Sequence, residues 1–285
     1  FENIDFHFSP SLSSNVCHDY NVYWGNRPPA NILSILPNLQ WIHLGCVGQD
    51  RILQIDGDIS HIKLTNSPDS VTDAVASHTL FQLFYFLRDG RRLHHMNENS
   101  DSQTRSYYDK SNVTPSSAYR LKVAIIGFGN IGKSVGCALK SLGAYVKGYA
   151  TRQYEYHGIS VSLLENFLGE CSGFDCIISL LPLDNELDNF FNKDLLCSLQ
   201  DKCILINNGR SSHVDEFHLR DRILQRKIRF ASDTVQSPAM FTDLYESGFD
   251  VMISPHIAAV GPHYWPKQID LFFNLLQNFL DNYSL

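Results

Sequence analysis

Three glycines in the spacing Gly-x-Gly-x-x-Gly are the residues of this chain whose pattern most directly implies chemistry. Gly127, Gly129 and Gly132 follow a run of β-forming residues, Val123-Ala-Ile-Ile126. In such a unit the first glycine permits a tight turn, and the second lets a pyrophosphate approach the backbone. The third allows close packing of the following helix. The pattern therefore predicts a phosphate-binding turn that holds a dinucleotide.

The segment after this turn has the pattern of an amphipathic helix. Its apolar residues recur at spacings of three and four: Ile131, Val135, Ala138, Leu139 and Leu142. The unpaired N–H groups and positive dipole at the start of such a helix would face the phosphates. We expect the cofactor to contact Gly127, Gly129, Asn130, Ile131 and Gly132.

Composition excludes some partners. The chain has 285 residues, a net charge of −7 and no block of Lys or Arg, so neither nucleic acid nor an anionic membrane is expected to bind it. The seven cysteines are scattered without a Cys-x-x-Cys, which favours free thiols in a reducing cytoplasm over disulfides or zinc. The longest strongly apolar helical run, residues 79–87, is too short to span a bilayer. The chain begins with Phe1, so we expect that an initiator segment precedes it.

Strands that alternate with helical segments surround the glycine turn. Further strands are expected at residues 145–149, 176–181, 202–207, 229–233 and 250–254. This alternation predicts an α/β fold with a doubly wound parallel sheet of the Rossmann type. Ligands of such sheets bind at the carboxyl ends of the strands, where residues 207–210, Asp233 and His256 fall.

Two domains are expected from the arrangement along the chain. Residues 67–263 would form the dinucleotide-binding domain, with a helix from Ser70 to Leu87. Residues 1–66 and 264–285 would form a smaller flavodoxin-like α/β domain that binds substrate, with a helix over residues 268–280. The polar segment 97–119 is interpreted as a linker, an exposed arm or a surface packed on another subunit, with a disordered loop as the alternative.

Five segments, in this order, carry a resemblance to a known family. They are Leu36-Pro-Asn-Leu-Gln-Trp-Ile42 with Gly45-Cys-Val-Gly-Gln-Asp50, the turn 127–132, Leu181-Pro-Leu183, Ile206-Asn-Asn-Gly-Arg-Ser-Ser-His-Val-Asp-Glu216, and Ser254-Pro-His-Ile257. With them the chain resembles the D-isomer-specific 2-hydroxyacid dehydrogenase family over nearly its full length. The resemblance implies a cytoplasmic, homodimeric oxidoreductase that transfers a hydride between NAD(P)H and a small 2-keto or 2-hydroxy acid.

Two residues match the positions that carry this chemistry in the family. Arg210 would hold the substrate carboxylate, because a guanidinium offers a planar fork and stays charged. His256 would give a proton to the carbonyl oxygen during reduction and take one during oxidation. The alternatives are a surface arginine paired with Asp215 or Glu216, and a structural histidine.

The resemblance also implies binding residues. The loop of Cys46, Val47 and Gly48 would offer backbone N–H groups to the substrate carboxylate. Asp233 would accept from the nicotinamide carboxamide, with a structural role in a cap or loop as the alternative. Further cofactor contacts are expected at Leu181, Pro182 and Asn208.

Two departures from the family pattern matter. The acid expected about 20 residues after the glycines is absent, and Thr151 and Arg152 stand there, which favours NADP(H) over NAD(H) unless Arg152 is merely solvated. The glutamate that pairs with the family's histidine is replaced by Ser237, with Gln236 beside it.

The second departure leaves two other interpretations open. One is a regulatory dinucleotide-binding protein with little turnover. The other is a relative of the formate-oxidising branch, which pairs its histidine with a glutamine. The presence of both Arg210 and His256 argues against the regulatory protein, and the short N-terminal half of the chain departs from the formate-oxidising branch.

Overall fold

A computed structural model of the protein describes residues 4, 6, 19–46, 48, 51–98 and 116–282. The chain divides into two compact units, Phe1–Val71 with Pro262–Leu285 and Thr72–Gly261. The assignment of the smaller unit to substrate and of the larger unit to the dinucleotide remains a prediction. No helix in the described ranges is both long and apolar enough to cross a membrane.

The described strands are β1 (Val22–Trp24), β2 (Trp41–Leu44), β3 (Lys63–Asn66), β4 (Lys122–Ile126), β5 (Tyr145–Ala150), β6 (Tyr154–Tyr156), β7 (Ile159–Leu163), β8 (Cys176–Ser179), β9 (Cys203–Asn207), β10 (Ile228–Ser232) and β11 (Val251–Ile253). The described helices are α1 (Ile32–Ile35), α2 (Thr72–Leu87), α3 (Gly90–Glu98), α4 (Asn130–Ser141), α5 (Phe167–Glu170), α6 (Lys193–Ser198), α7 (Glu216–Leu224), α8 (Ala239–Glu246) and α9 (Tyr264–Asn282).

The smaller unit contains a parallel sheet in the order β1-β2-β3. The central strand β2 is wholly buried, as expected for a parallel strand covered on both faces. Trp41 stacks on Phe272 and Phe279 of α9, with ring centroids 5.4 Å and 5.2 Å apart. These large rings remove much apolar area from water, so α9 is an integral part of this unit.

The larger unit contains a sheet in the order β11-β10-β9-β8-β4-β5-β7-β6. The strands from β11 to β7 are parallel, and only β6 pairs antiparallel. Strands β8 and β9 are buried throughout, which explains their continuous apolar sequence. The chain proceeds from β4 toward one edge and then returns to place β8 on its other side. This reversal is the point where doubly wound sheets bind ligands, and the predicted fold class is confirmed.

Several local features differ from the prediction. The hairpin of β6 and β7 was not predicted, because β6 has only three residues. Its turn, His157-Gly158, has positive φ at both residues, as a two-residue hairpin turn requires. Helix α2 ends at Leu87, but α3 follows almost at once. Leu142 was placed on the buried face of α4, yet it lies after the helix and is half exposed. Most of the polar segment 97–119 falls on residues 99–115, which lie outside the described residues.

Candidate active site

The glycine turn has the geometry that its sequence pattern predicts. Gly127 has φ +89°, and a Cβ there would lie 2.6 Å from the carbonyl oxygen of Leu180. A Cβ at Gly132 would lie 2.8 Å from the carbonyl oxygen of Gly127. A Cβ at Gly129 would meet no described atom within 4 Å. The first and third glycines are therefore required by packing, whereas the second borders open space.

The start of α4 fits a bound phosphate. Gly129 is the N-cap residue and, because it has no side chain, it does not cap the first turn of the helix. Gly129 and Asn130 are exposed, and Ile131 is half-buried. Backbone N–H groups left uncapped at a helix N-terminus attract anions through hydrogen bonding and the helix dipole. The turn can therefore cradle the pyrophosphate of a dinucleotide.

Contacts join the loops at the carboxyl ends of four adjacent strands. A Cβ at Gly127 would lie 2.9 Å from the backbone nitrogen of Leu181, and one at Gly209 would lie 2.7 Å from its carbonyl oxygen. The side-chain oxygen of Asn208 accepts from the backbone N–H of Asp233 over 3.0 Å. The ends of β4, β8, β9 and β10 thus form one continuous edge. Pro182, next to buried Leu181, is exposed on it.

The side chain of Asn208 braces this edge against α2. Its Nδ2 donates to Thr79 Oγ1 and to Gln82 Oε1, both over 2.8 Å. An amide nitrogen has two hydrogens, so both are used within the protein. The amide nitrogen of Asn208 is therefore not available to the cofactor, and the predicted cofactor contact of Asn208 remains a prediction.

Asp233 holds the loop that carries His256. Its carboxylate is 3% exposed and accepts from the Ser254 hydroxyl (2.6 Å), from the Ile257 N–H (2.9 Å) and from the Ala258 N–H (2.8 Å). His256, between these donors, has φ +56°, a conformation that few non-glycine residues adopt. These contacts agree with the alternative interpretation of Asp233, a structural role in a loop. The role of Asp233 toward nicotinamide remains a prediction.

His78 on α2 contacts the same network and was missed as a site residue. Its Nε2 lies 2.8 Å from the Ser254 hydroxyl oxygen and 3.9 Å from Asp233 Oδ1. The side-chain nitrogen of Gln82 lies 3.2 Å from the same Nε2 of His78. The sequence offered one signal, Gln82 one helical turn after His78, but helical spacing alone did not distinguish a site residue from a core residue.

Arg210 is half-buried directly after β9. Its Nη1 donates to the Gly209 carbonyl over 3.0 Å, and its own carbonyl accepts from Asn207 Nδ2 over 2.9 Å. The first bond holds one nitrogen of the guanidinium against the backbone, and the second fixes the backbone at Arg210. The buried imidazole of His213 stands in the same turn, and burial, followed by the charge of Arg210, lowers its pKa. A neutral His213 adds no second cation beside Arg210.

The two acids considered as partners for Arg210 have other contacts. Asp215 caps α7 by accepting from the His218 N–H over 3.1 Å, and it pairs with the His218 ring over 2.6 Å. Glu216 accepts from the backbone N–H groups of Gln236 (2.6 Å) and Ser237 (3.1 Å). Glu216 therefore positions the loop in which Ser237 replaces the family's glutamate.

The imidazole of His256 is not joined to that loop by a hydrogen bond. His256 is exposed, as is Gln236, and within the described ranges neither Gln236 nor Ser237 bonds to its ring. His256, the predicted proton donor, therefore lies on a loop that Asp233 holds in place. The side chains of Gln236 and Ser237 do not act as hydrogen-bond partners of its ring.

The predicted substrate loop belongs to the smaller unit. Cys46 Sγ donates to the Gly48 carbonyl over 3.2 Å, which closes the loop on itself. The side-chain amide of Gln268 on α9 donates to the Gly45 carbonyl at the start of the loop. Val47 lies outside the described residues.

The residues predicted to select the cofactor follow β5. Thr151 and Arg152 are both exposed, and within the described parts of the chain no acid forms an ion pair with Arg152. The next strand, β6, contributes the Tyr154 hydroxyl, which donates to the Phe128 carbonyl in the glycine turn over 2.9 Å. Sequence reasoning missed this contact, because it depends on the unpredicted hairpin.

Comparison with known proteins identifies the relatives of this chain. A family model described as D-isomer specific 2-hydroxyacid dehydrogenase, NAD binding domain, matches residues 83–258, more than half of the chain. Hydroxyphenylpyruvate reductase of Plectranthus scutellarioides is 26% identical over 238 residues, which cover 81% of this chain and 72% of the relative. D-3-phosphoglycerate dehydrogenase of Mycobacterium leprae is 25% identical over 237 residues; the match covers 81% of this chain but only 43% of that relative.

A solved structure shows the same fold. The NADPH-dependent glyoxylate/hydroxypyruvate reductase of Sinorhizobium meliloti, in complex with NADP and malonate, superposes with a TM-score of 0.76 and 22% identity. The superposition covers 93% of this chain and 82% of that chain.

Proposed function

The chain belongs to the D-isomer-specific 2-hydroxyacid dehydrogenase family, a family of NAD(P)-dependent oxidoreductases, and on that premise we propose that it reduces a small 2-keto acid with NADPH. One observation carries the proposal. The glycine turn, the Arg210 loop and the Asp233-braced loop of His256 follow β4, β9 and β11 of one parallel sheet and lie at its carboxyl edge. Cofactor binding, carboxylate binding and proton transfer can thus be served from one edge.

The chemistry follows from the residues in this arrangement. When bound, the nicotinamide supplies the hydride that the carbonyl carbon receives. Arg210 binds the carboxylate through its planar fork and holds the carbonyl carbon in place. His256 gives its proton to the carbonyl oxygen as negative charge develops there, so the product is a neutral hydroxyl group. In the reverse direction the same imidazole takes the proton back.

The preference for NADPH is the finer part of this proposal. A ribose 2′-phosphate carries about −1.5 to −2 charges near neutral pH. Arg152 offers it a cation, and no carboxylate stands between Tyr149 and Arg152 to repel it or to bind the free hydroxyls of NADH.

A homodimer in the cytoplasm completes the proposal. The dimer follows from resemblance to the family. The cytoplasmic location is supported by the scattered cysteines, six of which are free thiols in the described residues. Light scattering after gel filtration tests the dimer, since a monomer at micromolar concentration would contradict it.

Turnover tests the proposed function directly. We expect NADPH oxidation with at least one of glyoxylate, hydroxypyruvate, pyruvate or a bulkier 2-keto acid. We expect His256→Asn to lower kcat at least 100-fold while calorimetry shows unchanged NADPH binding. Dinucleotide binding without turnover of any 2-keto acid would favour the regulatory alternative, which the comparisons with reductases and dehydrogenases do not support.

A further inference from the structure

The hairpin of β6 and β7 is fixed to the glycine turn. The Tyr154 hydroxyl donates to the Phe128 carbonyl over 2.9 Å, between two glycines of that turn. The Phe128 ring is 2% exposed and lies edge-on to the Tyr156 ring, with centroids 6.3 Å apart. A hairpin at the sheet edge is thereby held beside the position where the adenosine end of a dinucleotide meets β5.

Lys133, in the first turns of α4, lies over the aromatic rings of this hairpin. Its Nζ is 5.0 Å from the ring centroid of Tyr156 and 6.0 Å from that of Tyr154. An ammonium group at these distances from ring faces is attracted by their quadrupoles, which restricts a side chain that otherwise moves freely. In the described parts of the chain, no carboxylate lies within ion-pair distance of Lys133.

A second cation, Arg152, acts on the same hairpin. Burial raises the pKa of the Tyr154 hydroxyl, and the charge of Arg152 opposes this increase. The Tyr154 hydroxyl is thus under the electrostatic influence of Arg152, which follows β5. The Tyr154 ring lies near Lys133, at the start of α4. Among the described residues, neither of these two cations has an acid ion-pair partner, and both act on Tyr154 beside the glycine turn.

We propose that Lys133, held by Tyr154 and Tyr156, is a second cation that binds, together with Arg152, the phosphomonoester on the adenosine ribose of the dinucleotide. This inference rests on the proposed dinucleotide site. A phosphomonoester near neutral pH carries close to two negative charges, so two cations balance it where one does not. The hairpin supplies the rigidity, because it orients the lysine before the ligand arrives.

Calorimetric titration of NADPH and NADH tests the assignment. Lys133→Met should lower NADPH affinity about tenfold or more, because a charge-assisted contact to phosphate is lost. NADH affinity should stay within about twofold. Lys133→Arg should retain most of the NADPH affinity, which would show that charge at this position matters. Thermal melts verify that each variant is folded.

Lys140→Met is the matched control. Lys140 lies on the same helix, and its Nζ donates to the His157 carbonyl of the same hairpin over 2.7 Å, at the end away from the glycine turn. Its removal should leave the ratio of NADPH to NADH affinity unchanged. If Lys140→Met shifts that ratio as much as Lys133→Met does, hairpin support rather than phosphate binding explains the effect, and the proposal is wrong.

Two fragments of the dinucleotides show whether Lys133 binds the 2′-phosphate or the pyrophosphate. Adenosine 2′,5′-bisphosphate should bind the parent protein more tightly than 5′-AMP, and Lys133→Met should reduce this difference about tenfold or more. An equal loss of both dinucleotides in Lys133→Met, or no loss, overturns the inference while the proposed function stands. If the parent binds neither dinucleotide, the proposed function fails and the inference fails with it.

Discussion

The Ser254 hydroxyl donates a 2.6 Å hydrogen bond to the Asp233 carboxylate, and this bond ties the loop of His256 to the end of β10. A buried carboxylate is tolerated only when donors surround it. Here a hydroxyl and two backbone N–H groups do so, and the loop between them has little freedom to reorient His256.

Ser254→Ala should therefore destabilise the larger unit. The substitution leaves buried Asp233 with one donor fewer, at a cost of about 1–3 kcal/mol in the free energy of unfolding. Urea denaturation followed by circular dichroism measures it. Ser160→Ala, at an exposed position on β7, is the control and should change stability by less than about 0.5 kcal/mol. Equal effects of the two substitutions would show that the Ser254 contact contributes nothing.

Arg210→Lys should impair substrate use rather than cofactor binding. A lysine retains the charge but lacks the planar fork, so kcat/KM for 2-keto acids should fall about 100-fold or more. Dinucleotide affinity, measured by calorimetry, should be unchanged. Arg88→Lys, at an exposed position after α2, is the matched control. Retention of most activity by Arg210→Lys with every accepted substrate would disprove the role in carboxylate binding.

Gly129→Ala and Gly132→Ala should separate ligand binding from packing. A methyl group at 132 would crowd the Gly127 carbonyl, so this variant should lose about 1–3 kcal/mol of stability. A methyl group at 129 meets open space, so the cost should be limited to that of alanine at an N-cap, about 1 kcal/mol or less. Dinucleotide affinity should nevertheless fall at least tenfold, because the methyl group occupies the approach of the pyrophosphate. Unchanged affinity in a folded Gly129→Ala variant would place the phosphates elsewhere.

The smaller unit should lose stability in mild acid because of His43. Its ring nitrogens lie 2.8 Å from Thr65 Oγ1 and 3.0 Å from Ser67 Oγ, and burial lowers its pKa from 6.5 to about 4. Between these values the unfolded chain binds a proton that the folded chain does not. Acidification from pH 6.5 to 4 should therefore favour unfolding, by on the order of 3 kcal/mol in total. Above pH 6.5 and below pH 4, His43 adds no pH dependence.

Tryptophan fluorescence measures this unfolding, because all three tryptophans, Trp24, Trp41 and Trp265, belong to the smaller unit. His43→Asn retains a hydrogen-bond donor and an acceptor, now provided by an amide, but this side chain does not titrate. Its unfolding free energy should depend less steeply on pH between 4 and 6.5, by up to about 1.4 kcal/mol per pH unit. Identical slopes for the parent and the variant would assign the acid sensitivity to other groups.

Sequence predicted the doubly wound sheet and the glycine turn well, because both depend on local patterns. Continuous apolar strands such as β9 and the three spaced glycines are readable within a few residues. The hairpin of β6 and β7 was missed because β6 has only three residues, which carry too little periodicity to distinguish a strand from a loop.

The bracing contacts of the candidate site could not be predicted in the same way. Asn208 bonds to Thr79 and Gln82 across more than 120 positions, and no local pattern encodes such a pairing. The positions of Arg210 and His256 at strand ends followed from the motifs. The structure was needed to show that backbone N–H groups in the loop of His256 donate to the Asp233 carboxylate.

The hydrogen bond between His78 and Ser254 joins residues that are 176 positions apart. This separation determines which contacts can form first while the chain is being synthesised. The contact of Gly127 with Leu181 needs only residues up to 181, so it can form while the ribosome is still adding the later strands. The loop of His256 can be locked only after residue 258 has emerged, because contacts distant in sequence form only once the whole intervening chain is available. A nascent chain would therefore form its glycine turn well before the loop of His256 became ordered.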